Sequence, residues 1–443
     1  MLETFLSQAL KISLSSLPLR VYVSTQEWED TEPLYNEPSP SEDSVPKCKR
    51  RQRLIFVSQV TDCPDPKPSE KKESTEVATI EPQDTESKLE QRDSSISTNK
   101  NHEVYILGLS VLEYETIKKV ENEEKLIKTI YIDKLDSSGY GVFPERKSVV
   151  TEGRLTVARA LVQGYLNYCE KEYLGTSKEE IFLHVFARAQ PQYLFAESAK
   201  NPKKQILNDK ELIQWWKKSL HTISTLDSEH SKLKGYWYVP GLEDIMQKSM
   251  NPVEDNNRLS WKWGWPYNDK DKAQHVIPQF PDDAKSRLLA KEDMENITVW
   301  EFFELLSISE ECGSGRRAGF FVLHLSSSKS NEATQDTCEM MSNEQFRDIE
   351  EQLFYLDFST YEECVESTTR LSDMLVKARV KYIEIIPDEI EKLPSQESSK
   401  RKAPIDGSEV NTLSSSLIRR KGKTEPTVNV LGGSLVRKKP KTG

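Results

Sequence analysis

No Cys-x-x-Cys pair occurs in this chain of 443 residues. Its six cysteines, Cys48, Cys63, Cys169, Cys312, Cys338 and Cys364, are scattered, and its six histidines are equally dispersed. That spacing suggests neither a disulfide framework nor a zinc site, and it points to a reducing intracellular compartment. No apolar run approaches the length needed to span a membrane. The opening MLETFLSQALKISL has no basic leader and no apolar core, so a secretory signal is not expected. A Walker loop, a Gly-x-Gly-x-x-Gly fingerprint and a His-Glu-x-x-His pair are all missing. Hydrophobic residues are only 36% of the chain, low for a compact globule, so part of it is expected to be disordered.

What is present reads as alternating ordered and solvated stretches. Leu2, Phe5, Leu6, Ala9 and Leu10 fall at helical spacing, and Leu19–Val23 follows as a strand. Residues 25–46 read as an acidic loop and Arg53–Val60 as a strand, while residues 62–101 carry too few apolar side chains to offset their ordering entropy. HEVYILGLSVLEYETI and KTIYIDKLDSSGYGVF alternate as two strands, the second ending in the turn Asp136–Gly139. Arg154 to about Glu172 forms an amphipathic helix, and IFLHVFAR is a buried strand. Asn208 and Glu211 make a capping box for a helix carrying Leu212, Trp216 and Leu220. GYWYVPG and LSWKWGWPY read as loops by their glycine and proline. Residues 298–308 then predict a helix, 318–325 a strand and 343–384 two helices. Strands and helices mix without regular alternation, which gives a mixed α+β or α/β class.

Charge divides the chain. From Gln396 to Gly443 there are 11 Lys/Arg against 4 Asp/Glu, so the tail carries +7 and the rest −18. The expected organisation is one domain over 1–394, with a disordered insertion at 62–101, and a disordered basic tail over 395–443. Clusters such as Lys400–Lys402, Arg419–Lys421 and Arg437–Lys439 suit nuclear import or contacts to nucleic acid or acidic partners, or act only as a solubilising tail. GSGRRAG (313–319) fits no nucleotide fingerprint and reads as a basic turn.

Two stretches carry the chemistry. FPDDAKSR places Asp282 and Asp283 just ahead of Lys285 and Arg287. Carboxylates held by cations suit general acid–base work, but Pro-Asp-Asp is equally a helix start with aspartate as its N-cap. Phe186–Trp216 joins a strand end, a Tyr-Leu-Phe cluster, a lysine loop and the Trp215–Trp216 pair. Neighbouring rings on a helix point about 100° apart, so one can line a cavity while the other packs in the core. Lys200, Lys203 and Lys204 can meet phosphate near a helix N-terminus or form a solvated loop.

ARAQPQYLFAESAKNPKKQILNDKELIQWW, IPQFPDDAKSR and YIDKLDSSGY preceded by VYILGLSVLEY together resemble the fungal histone acetyltransferase family known as regulator of Ty transposition. The likeness covers roughly residues 104–385 and implies a central mixed sheet wrapped by helices, similar to the acetyltransferase domain of CREB-binding protein. It implies acetyl-CoA as co-substrate, no metal, and histone H3 as acceptor, presented as the H3–H4 dimer. It also implies chaperones of the nucleosome-assembly-protein and anti-silencing-function types, a nuclear location, no membrane association, and roles in replication and genome stability. Direct nucleic-acid binding is not expected.

The resemblance assigns roles residue by residue. Asp283 would be the catalytic acid/base with Asp282 its neighbour, Lys285 a buried lysine that becomes acetylated, and Arg287 its supporting cation. Asp136 would face that lysine, and Tyr193 and Trp216 would flank the thioester and the lysine channel. Acetyl-CoA contacts would fall on Leu135, Asp136, Ser137, Arg154, Leu155, Thr156, Val157, Ala158, Phe186, Gln190, Gln205, Ile206, Leu207 and Trp215. This sequence departs from the family at Gln190 and Gln205, and the loop before Arg154 is longer. Arg154, Arg188, Lys203 and Lys204 can neutralise the CoA phosphates. A lysine with a pKa of about 10.4 must lose a proton before attacking a thioester, and a dry aromatic channel with a carboxylate favours that loss. With no cysteine in the matched stretches, transfer would be direct. The competing reading is a non-catalytic nuclear scaffold for histones or chaperones, which needs no acetyl-CoA.

Overall fold

The computed structural model describes residues 1–36, 47–62, 101–120, 123–145, 149–173, 180–221, 231–242, 247, 259–309, 316–327 and 339–392. Nearly all of the expected insertion, and the basic tail, lie outside them. Among the described residues, ten strands build one sheet: β1 (Leu19–Thr25), β2 (Glu29–Thr31), β3 (Lys47–Asp62), β4 (Asn101–Val120), β5 (Glu123–Ser137), β6 (Glu180–Arg188), β7 (Ser231–Tyr238), β8 (Leu259–Trp263), β9 (Ala318–Ser327) and β10 (Tyr382–Ile385). Their order is β10-β1-β3-β4-β5-β6-β9-β7-β8, with β2 paired to β3 at the side. The pairings β5–β6 and β7–β8 are parallel and the rest antiparallel, so the sheet is mixed.

Helices cover both faces. They are α1 (Leu2–Lys11), α2 (Val157–Tyr173), α3 (Asp209–His221), α4 (Ala273–Val276), α5 (Ala284–Leu289), α6 (Val299–Ile308), α7 (Asn343–Leu353) and α8 (Tyr361–Lys377). Period-two alternation along β6 assigns the faces. Ile181, Leu183, Val185 and Ala187 join the main core with Ile213 and Leu220 of α3. Phe186, between them, turns the other way and joins Ala284 and Leu288 of α5 and Phe302 of α6. β9 obeys the same rule: a Cβ on Gly319 would lie 2.9 Å from Ile213, while Phe320 belongs to the α5–α6 side.

A buried charge cluster ties β3, β4 and α2 together. The Glu113 carboxylate accepts from Arg51 Nε (2.5 Å), Arg53 Nε (2.8 Å) and Tyr165 Oη (2.7 Å), and Arg53 also donates to Tyr168 Oη (2.9 Å). Burial raises the Glu113 carboxyl, but the two guanidiniums outweigh it and hold the group at about 2.

Three sequence expectations change. GYWYVPG and LSWKW are strands for most of their length, not loops. Gly235 is there because its strand neighbour Trp261 needs the space: a Cβ would meet the indole at 2.7 Å. The second of the two C-terminal helices stops at Lys377. Arg379 adopts a left-handed conformation (φ 65°), and the chain returns as β10 against β1. Residues 25–46 are not all loop, because Glu29–Thr31 pairs with Cys48–Arg50.

Candidate active site

At the ends of β4 and β5 the sheet opens into a cavity of about 480 Å³ between the first turn of α2 and the length of α3. Leu107, Leu135, Asp136 and Ser137 come from the strand ends, and Thr156, Ala158 and Arg159 from the start of α2. Gln190, Pro191 and Tyr193 follow β6. Lys204, Gln205, Ile206 and Leu207 precede α3, which adds Leu212, Trp215 and Trp216. The α3 start is fixed by the reciprocal bonds Asn208 N to Glu211 Oε2 (3.0 Å) and Glu211 N to Asn208 Oδ1 (3.0 Å), the capping box read from the sequence. Trp215 and Trp216 meet edge to face, with centroids 5.1 Å apart, and both line the cavity. The expected division, one ring to the cavity and one to the core, does not hold: both line the cavity and both pack on the main core, Trp216 within it and Trp215 against it.

Asp136 is the hub of this site. Its Oδ2 accepts from the backbone N–H groups of Tyr193 (2.8 Å), Leu194 (2.9 Å) and Phe195 (3.1 Å), and its Oδ1 from Ser137 N (2.9 Å) and Lys204 Nζ (2.8 Å). Five donors occupy one carboxylate. The sequence reading set Asp136 against Lys285; the structure corrects this, because its cation is Lys204. That pairing also withdraws Lys204 from the phosphate role, since its ammonium is spent on Asp136 and on Ser198 Oγ (2.7 Å). Tyr193 Oη donates to Arg188 O and accepts from Gln190 N (2.9 Å), and burial pushes its pKa up to about 12.

FPDDAKSR lies elsewhere. Asp283 is the N-cap of α5: its Oδ1 accepts from Lys285 N (2.9 Å) and its Oδ2 from Lys285 Nζ (2.6 Å). The Lys285 ammonium sits over the Phe320 ring at 4.6 Å, and Phe320 stacks on Phe186 at 5.0 Å. Phe186 and Phe320 face away from α3, so the sheet stands between this pair and the α3 side. Buried His184 lies beside Phe280, and its pKa is held well below the usual range, first by burial and then by the Lys285 charge. Asp282 takes a left-handed backbone (φ 55°) at the exposed turn, and Arg287 is exposed on α5.

Of the acetyl-CoA contacts expected, Leu135, Asp136, Ser137, Thr156, Ala158, Gln190, Gln205, Ile206, Leu207 and Trp215 share the cavity wall. Four expected contacts lie off that wall. Arg154 donates to the carbonyls of Ser13 (3.4 Å), Asp388 (3.1 Å) and Glu389, so its cation is used in joining chain segments. Leu155 and Val157 pack on the main core, and Phe186 faces the α5 side. The helix begins at Val157, not Arg154, so Arg154 and Leu155 precede it, while Thr156, Ala158 and Arg159 at its start face the cavity. Sequence reading missed Leu107, Arg159, Pro191 and Leu212 as lining. Arg159 was recoverable, because it lies three residues beyond Thr156 on the same turn. A larger cavity, about 1010 Å³ between α1 and the turn after α8, holds none of the expected residues.

The cavity suits an acyl-CoA. A helix N-terminus and Arg159 can receive phosphate oxygens, and the leucines and indoles can cover an apolar arm. A family model described as the histone acetyltransferase KAT11-type domain matches residues 144–374, just over half of the chain. The chain belongs to that family. It is 31% identical over 239 residues to histone acetyltransferase rtt109 of Schizosaccharomyces pombe, covering 50% of this chain and 57% of that one. It is 24% identical over 266 residues to the Aspergillus flavus rtt109, covering 50% and 45%. The KAT11-type chain therefore spans about half the length of these relatives. The crystal structure of Rtt109 from Aspergillus fumigatus superposes with a TM-score of 0.63 at 20% identity, over 87% of this chain and all of that one, a likeness of fold.

Proposed function

We propose that this chain transfers the acetyl group of acetyl-CoA to lysines of histone H3, acting in the nucleus with histone chaperones. The observation that carries the reading is the cavity where the α2 start, the Asp136 turn and the Trp215–Trp216 pair converge. Membership of the KAT11-type family supports the reaction class. In the reaction the neutral lysine nitrogen attacks the thioester carbon, the C–S bond breaks, and coenzyme A leaves as its thiol. The proton that the attacking nitrogen sheds goes to the departing sulfur, and the one that the lysine ammonium loses beforehand passes to solvent or to a carboxylate. The walls of Leu135, Leu207, Leu212 and the two tryptophans exclude water, which disfavours the ammonium form of the acceptor and readies it for attack.

Asp136 has no role here as a base, because five donors already hold it. Asp283, paired with Lys285 on the far face, fits an anchor of α5 better than a proton acceptor in the cavity. The decisive experiment incubates the full chain with labelled acetyl-CoA and chaperone-presented H3–H4. Label on H3 is expected. No label on histone or on the chain itself would overturn the enzyme reading in favour of a scaffold.

A further inference from the structure

Lys204 is a cation inside the cavity wall that neither meets phosphate nor takes part in the acetyl transfer. Lys204 is almost wholly enclosed, its side chain 4% exposed, and it stands immediately before the lining run Gln205–Leu207. Its ammonium bridges Asp136 Oδ1 (2.8 Å) and Ser198 Oγ (2.7 Å). Asp136 in turn collects the N–H groups of Tyr193, Leu194 and Phe195. The backbone beneath is shaped for this. Gly139 has φ 87°, and a Cβ there would come within 2.8 Å of the Lys204 backbone and 2.6 Å of Asn201 Nδ2. Asn201 donates to Ser138 O (3.0 Å), closing the loop on the strand-end turn. Three separate cavity walls, the β5 end, the Tyr193 turn and the run into α3, thus meet at one ion pair.

We propose that Lys204 is a positioning residue: its ammonium fixes these three walls in register, and it binds no phosphate of the acyl donor. The proposal rests on the acetyl-CoA reading of this cavity for its kinetic consequence, but not for its structural one. Three backbone N–H groups gathered on a buried carboxylate need a counter-charge, because an unneutralised buried anion is strongly disfavoured. Removing the lysine would release the turn bearing Tyr193 and let the walls drift apart. Displacements of about 1 Å at a reacting centre cost on the order of a hundredfold in rate.

The test compares the full-length wild type with Lys204→Met, Lys204→Gln and Lys204→Arg. Amide exchange of Tyr193, Leu194 and Phe195 is expected to be slow in the wild type and much faster in Lys204→Met. That readout does not depend on catalysis, so it separates this proposal from the acetyltransferase reading. Given activity, Lys204→Met is expected to lose on the order of tenfold to a hundredfold in kcat/KM equally for acetyl-CoA and for acetyl-dephospho-CoA, which lacks the ribose phosphate. Lys204→Arg, keeping the cation, is expected to recover part of it. Unchanged exchange at the three amides would overturn the proposal, as would a loss confined to the donor bearing the ribose phosphate. If Lys204→Met does not fold, Lys204→Gln takes its place, and wild-type exchange at the three amides in that variant would overturn the proposal.

Discussion

Asp283 and Lys285, two residues apart and both nearly inaccessible, form an ion pair whose members depend on each other. Water can solvate neither charge once the other is removed. Lys285→Met is therefore expected to destabilise the fold by about 3–5 kcal/mol, read as a lowered midpoint in urea unfolding. Asp283→Asn loses the same pair while an amide can still accept a cap hydrogen bond, so its cost is expected to be of similar size. The double variant Asp283→Asn, Lys285→Met should cost clearly less than the two singles combined, since it leaves no orphan charge. Strict additivity would show that the two do not act as a pair. If Asp283→Asn keeps full acetyl transfer per folded molecule, its carboxylate is an anchor only. A loss of turnover at unchanged stability would return it to the chemistry.

Elements carry a different kind of information. The cluster of Glu113 with Arg51 and Arg53 joins β3, β4 and α2, and its folded pKa of about 2 lies below the ordinary carboxylate value. A depressed folded pKa means that its stabilisation is complete above the unfolded pKa, about 4.3, and is lost as pH falls from there towards 2. Wild type is thus expected to lose urea resistance over that window, and Glu113→Gln to show a lower, flatter profile across it. An equally steep profile in the variant would assign the acid sensitivity to other groups. In β7, Gly235→Ala is expected to cost about 1–3 kcal/mol, because Trp261 fills the place of the new methyl. An unchanged Tm would show that the indole moves aside freely. These two sites also mark what the sequence could reveal. Periodicity located the apolar elements, such as α1, β6 and the capped α3, because their side chains repeat the geometry. A glycine among tryptophans signals a turn by composition and a close strand contact only in three dimensions. Arginines within a strand look solvated until a glutamate on the neighbouring strand, 60 and 62 positions on, proves to be their partner. At the site, Gln190, Tyr193, Gln205 to Leu207 and the two tryptophans of the Phe186–Trp216 stretch line one cavity, while Phe186 at its head turns to the opposite face of the sheet. The Asp136–Lys204 pairing, across 68 positions, has no local signature.

At the scale of the whole molecule, charge is distributed by segment: residues up to 395 carry −18 and the remainder +7. We propose that Met1–Leu393, one compact unit, forms a self-sufficient folding unit. A chain ending at residue 395 is then expected to unfold at the same Tm as the full chain and to bind acetyl-CoA equally. It should differ in its approach to a basic histone. Without the tail the attraction is that of −18 rather than −11, so at low ionic strength the truncated chain is expected to show the lower KM for H3–H4. At about 0.15 M salt the Debye length is near 8 Å, and towards 1 M it falls to about 3 Å, so the two KM values should converge as salt rises. The measurement is a salt series of initial rates for both chains. A difference that persists at high salt would mean that the tail takes part by specific contact and not through its charge. A lower Tm in the truncated chain would remove the boundary itself.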